Sequence, residues 1–370
     1  MSVRKNISNL LGWKSNRKII TIESDDWGSV RTRNKDAYEV MVKGGLELYR
    51  SNFTMFDALE SNSDLELLFQ VLRNHVDSIG KHPVFTPMCV VANPNFQKIK
   101  DSNFETYYYE PFTETCKRYP EHDRVHNLWL QGIKERLFVP QLHGREHLNA
   151  TRWIEALKER NEGLTLAFNN ESFGGSYYKG QSIPEHLAAF DPKHASDIPT
   201  LHQITREAGA LFEKICGYKP KHFIASNSPE PRSLEKTLKE IGVEYLTRYK
   251  FQKYPLGDGK FEKQFNWLGK KNSYGQVYLT RNAGFEPSDP NTQNALENCI
   301  NDIKIAFKWG KPAVISTHRV NYIGFIEKNN REKGLSLLNK LLEEIIKKWP
   351  DVEFMTSEEL GNLISSSKIK

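Results

Sequence analysis

Three places in the sequence put metal-binding or acid–base side chains directly after an apolar run. In Thr21–Ser29 (TIESDDWGS) the run halts at Asp25 and Asp26, followed by Trp27 and Gly28. In Leu137–Asn149 (LFVPQLHGREHLN) it leads into His143 and His147, spaced i, i+4. In Ala313–Tyr322 (AVISTHRVNY) it ends on His318 and Arg319. One carboxylate and two neutral imidazoles make a zinc site with at least one position left open for water. If Gly144–His147 turn helically, both imidazoles lie on one face and can close on one ion. Adjacent residues leaving a strand face different ways, so one aspartate can hold the metal while its neighbour takes a proton from a water. A separate histidine can then protonate the leaving group.

Each feature also has an ordinary structural explanation. Aspartates at strand ends commonly form Asx turns and helix caps, and histidine pairs at this spacing occur on many surfaces. Their shared position argues for more. Parallel α/β folds gather the C-terminal ends of their strands at the active site.

The elements that must position these residues follow from periodicity. Continuous apolar runs suited to strands buried on both faces are Lys18–Ser24, Pro83–Val91, Leu137–Leu142, Leu164–Phe168, His222–Ser226, Val243–Thr247, Val277–Arg281, Ala313–Thr317 and Val352–Met355. Amphipathic helices are expected over Leu59–Ile79, Ala150–Arg160, Leu201–Cys216, Ser233–Ile241, Asn291–Trp309 and Glu332–Trp349. Gly217 and Gly242 stand at C-cap positions of two of them. This alternation predicts an α/β fold with a parallel sheet, open or closed into a barrel. Residues 1–370 read as a single domain with insertions near 93–124 and 172–194, where the rhythm fails and aromatic, charged and glycine-rich loops take over.

Hydrophobic residues make up 38% of the 370, enough for a sizeable core. Lys and Arg total 52 against 46 acids, and the excess of +6 is dispersed, which argues against a nucleic-acid partner. No segment approaches the apolar length of a membrane span. Cys89, Cys116, Cys216 and Cys299 form no C-x-x-C pair, and Met1–Trp13 holds no signal-like apolar stretch, so the expected location is cytoplasmic with reduced thiols.

The order of two aspartates, H-x-x-x-H and a late strand ending in histidine resembles the NodB-type polysaccharide deacetylases, carbohydrate esterase family four. The resemblance implies a distorted (β/α) barrel of about seven parallel strands and metal-dependent hydrolysis of an acetyl group on a sugar. It implies that Asp25 is the catalytic base, that Asp26, His143 and His147 hold a divalent metal, most simply zinc, and that His318 is the catalytic acid. The first motif departs from the family in reading Ser24-Asp25-Asp26-Trp27. The third motif's arginine, which orients the base, is missing from Phe223–Pro231 (FIASNSPEP). Arg232, Arg248, Arg281 and Arg319 are the candidates to replace it.

The substrate expected on this reading is an acetylated sugar or glycoconjugate, and a biosynthetic intermediate or small glycoconjugate if the chain is cytoplasmic. Trp27, Arg145, Glu171, Arg281 and Arg319 are candidate substrate contacts, with Asn170 beside them. Tyr107–Tyr109 and Tyr177–Tyr178 could stack on a pyranose face or simply hold their loops down. Two other functions use the same residues. A glycoside hydrolase would pair Asp25 with Glu171 or Glu230, and a non-catalytic sugar-binding protein would keep the fold without the chemistry.

Overall fold

A computed structural model describes residues 3–367. Its main sheet is entirely parallel, and nine pieces of strand contribute to it. In spatial order they are Val277–Leu279, Tyr245–Thr247, His222–Phe223, Gln141–Gly144, Phe85–Val90, Lys18–Trp27, Ala313–His318 and Ala283–Gly284. Val352–Phe354 pairs with the start of the Lys18–Trp27 strand. The two ends of that order are parts of one segment. Val277–Leu279 pairs with Tyr245–Thr247, and after Thr280, Arg281 and Asn282 the same chain pairs with Ala313–His318. The parallel sheet that the alternation predicts therefore curls back onto a kinked sixth strand, which matches the distorted (β/α) barrel that the resemblance implies. Arg281 sits at the seam.

The central Lys18–Trp27 strand is buried along all but its first residue, which explains its unbroken apolar character. Thr21, Glu23 and Asp25 share one face of it, with Ile20 and Ile22 on the other, by the two-residue repeat of a strand. Ile20 and Ile22 join the main core beneath the surrounding helices. Glu23 meets the hydroxyl of Ser357 at 2.7 Å and that of Thr247 at 3.2 Å inside the barrel.

Helices fall at Asn62–Arg73, Ala150–Lys158, Ile198–Cys216, Leu234–Glu240, Ala295–Lys308 and Lys328–Lys348, near the expected positions. One expected strand is wrong. Leu164–Phe168 lies inside the helix Glu162–Asn169, where the Asn161 side chain caps the first turn and Leu164, Ala167 and Phe168 form the buried face. Five apolar residues cannot by themselves separate a strand from a short buried helix. The insertion after the second strand carries the Ala92–Pro94 and Tyr109–Pro111 hairpin, and the later one a short hairpin at Tyr177–Tyr178 and Gln181–Ser182. A third hairpin, Phe251–Gly257 with Lys260–Phe265, was not anticipated. No helix among the described residues is long and apolar enough to cross a membrane. All four cysteines are buried and unpaired.

Candidate metal centre and active site

Strand pairing places the key residues before any side chain is considered. Asp25 is the register partner of His318 on the neighbouring strand. On the other side, the pairing shifts between Ser24 and Trp27, a bulge that inserts an extra residue at the two aspartates. Asp26 takes the strain, with φ of 78°. Non-glycine residues adopt this region only where surrounding structure imposes it. The bulge separates the neighbouring carboxylates, sending Asp25 toward the seam arginine and Asp26 toward the histidines. Gly28 closes the turn at φ 85°, and a Cβ there would stand 2.3 Å from the Val90 carbonyl oxygen.

Asp26 Oδ1 lies 3.1 Å from His147 Nε2 and 3.5 Å from His143 Nε2. One ligand atom from each of the three residues lies within 4.8 Å of the others, and all three residues are buried. A tetrahedral zinc ion with bonds of 2.0–2.2 Å spaces its donors about 3.3 Å apart, so the cluster matches such an ion. His143 Nδ1 lies 2.9 Å from the Ile224 carbonyl, which fixes the ring and leaves Nε2 as the atom that could hold an ion. Burial, countered only in part by Asp26, pushes His147 down to about 4, so its imidazole is neutral and available. Burial works against charge on Asp26, yet His147, His143 and Arg31 hold it well below the usual carboxylate range. The histidines do not ride on a helical turn. Gly144 ends the third barrel strand at φ 145°, and an irregular bend carries His147 across before a helix starts at Ala150.

Asp25 has a different setting. Arg281 grips both of its oxygens, Nη1 to Oδ2 and Nη2 to Oδ1, each at 2.6 Å, while Nε reaches Glu23 Oε2 at 2.6 Å. Among the four arginines that could replace the missing one, Arg281 is therefore the one on Asp25. Burial opposes charge on Asp25, but Arg281 outweighs it and keeps the carboxyl below its ordinary value. His318 Nε2 stands 3.8 Å from Asp25 Oδ2, and its Nδ1 donates to Glu286 Oε1 at 2.7 Å. Burial disfavours the imidazolium, yet Glu286 and then the two aspartates raise His318 to about 9. It is thus protonated at neutral pH. Phe53 packs edge-on against the ring at 4.8 Å between centroids.

Asp25, Asp26, His143, His147 and His318 open together into a cleft of about 440 Å³, whose other walls include Arg31, Arg50, Tyr177, Leu187, Ile224 and Tyr249. Behind it lies a buried charge network. Arg31 spans Asp26 at 3.2 Å and Asp57 at 3.4 Å. Arg319 holds Asp57 and Glu60, each at 2.9 Å, and Glu60 accepts the Gly28 amide. The network braces the bulge from behind, and of its arginines Arg31 alone reaches the cleft.

Several expected substrate contacts are placed elsewhere. Trp27 is fully buried against Phe138, with Nε1–H donating to Ser24 Oγ, because the bulge returns the chain to the core after Asp26. Arg145 points away from the mouth, bound to Glu146 and Glu207 and covered by the Tyr109 ring at 4.2 Å. Arg319 is inaccessible within its network. Glu171 pairs with Arg33 at 3.4 Å outside the cleft, and Asn170 caps its own helix through Leu166 O. Arg281 reaches the site through Asp25, and its guanidinium is already engaged. Of the tyrosines, Tyr107 and Tyr109 cover Arg145, whereas Tyr177 lines the cleft with Arg50 stacked on it at 4.4 Å. Glu286, Arg31, Glu23, Asp57 and Glu60 escaped the sequence reading. Glu286 had a signal, since it follows a strand piece by two residues, but that piece was hidden once the strand was ended at Arg281.

No protein-family model and no curated protein matches the chain. Among solved structures, a Pseudomonas aeruginosa PAO1 protein described as a "probable Polysaccharide deacetylase" is similar at 9% identity, over 94% of this chain and 91% of its own, with TM-score 0.46. Puue allantoinase is similar at 11% identity over 95% and 91%, with TM-score 0.46. The 4-alpha-glucanotransferase from Thermococcus litoralis is 11% identical over 95% of this chain but only 41% of its own, with TM-score 0.43.

Proposed function

We propose that this cleft removes an acetyl group, N-linked for preference, from a sugar or glycoconjugate in the cytoplasm, with zinc held by Asp26, His143 and His147. The observation that carries the reading is the position of an oriented base and a charged acid on adjacent strands beside a three-ligand cluster. When bound, a divalent ion supplies Lewis acidity, lowering the pKa of a water and polarising a carbonyl.

The protein's own residues do the rest. Asp25 is ionised and held at two oxygens, so it accepts a proton from the attacking water with its orientation already set. Arg281 keeps the carboxylate charged and stationary, and Glu23 anchors Arg281 from below. His318 brings a proton into the cleft and donates it from Nε2 to the departing amine. Glu286 holds the opposite ring nitrogen, which stabilises the imidazolium. Arg50 with Tyr177 on one wall, and Tyr249 on another, flank the space a sugar ring would fill.

A glycoside hydrolase needs a second carboxylate across the bond from Asp25. Glu171 pairs with Arg33, and Glu230 lies buried 2.6 Å from Arg248, so neither lines the cleft. Arg281 makes the contact to Asp25 that the missing third-motif arginine would make, which weighs against a non-catalytic binder. The test is acetate release from a panel of N- and O-acetyl sugars by zinc-loaded protein. Acetate released with zinc and abolished by a chelator is expected. Thermal protection by those sugars without any acetate would favour the binder, and chelator-resistant glycosidic cleavage the hydrolase on glycosidic bonds.

A further inference from the structure

The hairpin formed by Phe251–Gly257 and Lys260–Phe265 presents its residues in an unusual sense. Side chains alternate between faces of a strand pair, and a solvated face is normally polar. Here the inward face carries Gln252 and fully buried Tyr254, while the outward face carries Phe251, Lys253, Phe261, Lys263 and Phe265. Register sets Phe251 opposite Phe265, Lys253 opposite Lys263 and Pro255 opposite Phe261. Phe251 is 80% exposed, and its ring lies 5.1 Å from that of Phe265, which in turn is 6.1 Å from Trp267. The ammonium groups of Lys253 and Lys263 sit 4.8 and 5.4 Å from the Phe261 ring, and that of Lys270 is 4.8 Å from Trp267.

Two neighbours extend the surface. The exposed Leu10 and Leu11 lie on a turn just after Ser8, whose carbonyl accepts from Lys250 beside the hairpin, and before Trp13, whose N–H bonds to Leu268 O at 2.8 Å. Tyr249, 62% exposed, precedes the hairpin and also lines the catalytic cleft, so the surface runs into the cleft mouth. The hairpin's acids are directed elsewhere, Glu262 toward Arg232 and Asp258 toward His194.

We propose that this face docks on an anionic lipid bilayer surface and holds the cleft mouth against it. Phenylalanine with flanking lysine suits such an interface, where rings enter the acyl boundary and ammonium groups meet lipid phosphates. A glycan would need carboxylate or amide groups beside the stacking rings to bind its hydroxyls, and the outward positions of both strands offer only lysines. The docking stands whatever reaction the cleft performs. Combined with the deacetylase reading, it makes the substrate a sugar whose carrier is embedded in that membrane.

The experiment is sedimentation of the full chain with vesicles of phosphatidylcholine alone and of phosphatidylcholine with phosphatidylglycerol in equal parts. The protein should pellet with the anionic vesicles and remain largely soluble with the neutral ones. Lys253→Ala/Lys263→Ala should lower partitioning by about thirtyfold, the contribution of two lysines at an anionic surface. Phe251→Ser/Phe261→Ser should lower it by at least about tenfold. Both double variants should hydrolyse a water-soluble acetylated sugar like the parent. Asp25→Asn should pellet normally, which separates docking from turnover. The proposal falls if the parent ignores anionic vesicles or if the double variants pellet as it does. It also falls if Phe251→Ser disperses a dimer of a chain that binds no vesicles, since a second copy would then cover the face.

Discussion

Asp25 and Asp26 are consecutive in the chain yet belong to two differently built halves of the cleft. The Asp26 half is made of candidate metal ligands, with two imidazoles facing one carboxylate oxygen and Arg31 touching the other. The Asp25 half is made of charge pairs, Arg281 with Asp25 and Glu23, and His318 with Glu286. What separates them is a single inserted residue, the bulge that gives Asp26 its positive φ. A regular strand would also have pointed successive side chains to opposite faces, with Asp26 toward the helices. The bulge instead lets both carboxylates reach one cleft from different sides. Damage to one half should therefore spare the other.

The largest expected effect is on the ligand side. His143→Ala should remove zinc and abolish turnover together, with the His318 and Asp25 settings intact. Zinc analysis alongside acetate release checks this, and full zinc in the variant would remove His143 from the ligand set. Next is Arg281→Met, which leaves Glu23 and Asp25 buried without their cation. Stability should drop by about 3–5 kcal/mol in a denaturant titration, and turnover should be largely lost in the fraction that folds, while that fraction still binds zinc. Loss of zinc there would mean the halves are not independent.

Glu286→Gln should act through pH. The parent's His318 is raised to about 9, so its proton is present below that pH and lost above it. Activity should therefore fall on the alkaline side near that value. Without Glu286 the fall should move toward the ordinary imidazole range near 6.5, costing about tenfold in rate at pH 7.5. An unmoved alkaline limb would exclude His318 as the acid. Glu23→Gln should be the mildest, lowering stability by about 1.5–3 kcal/mol through a weaker bond to Arg281, with Asp25 still gripped and turnover little changed.

The half of the candidate site that is local was legible in the sequence. Asp25, Asp26, His143, His147 and His318 all follow apolar runs, and strand ends of a parallel barrel converge by construction. The sequence could not show which arginine meets Asp25, because Arg281 arrives across the seam where one strand breaks into two pieces at Thr280–Asn282. Nor could it show that Arg31, Asp57, Glu60 and Arg319 form one network, since those partners are joined by tertiary packing alone. Trp27 and Arg319 misled for a related reason, since neighbours of chemical residues share their sequence window but not their direction. In the fold, the short apolar run at Leu164–Phe168 carried no periodicity able to separate helix from strand. The 251–265 hairpin was missed because its outward phenylalanines contradict the polar face expected of an exposed strand.

The division between the two halves is tested most directly by Asp25→Asn, with zinc content and acetate release measured on the same preparation. Retained stoichiometric zinc with turnover reduced by about 10²–10⁴-fold is the predicted result, the range for removing a general base. Acetate released at the parent's rate, or zinc lost together with activity, would contradict it.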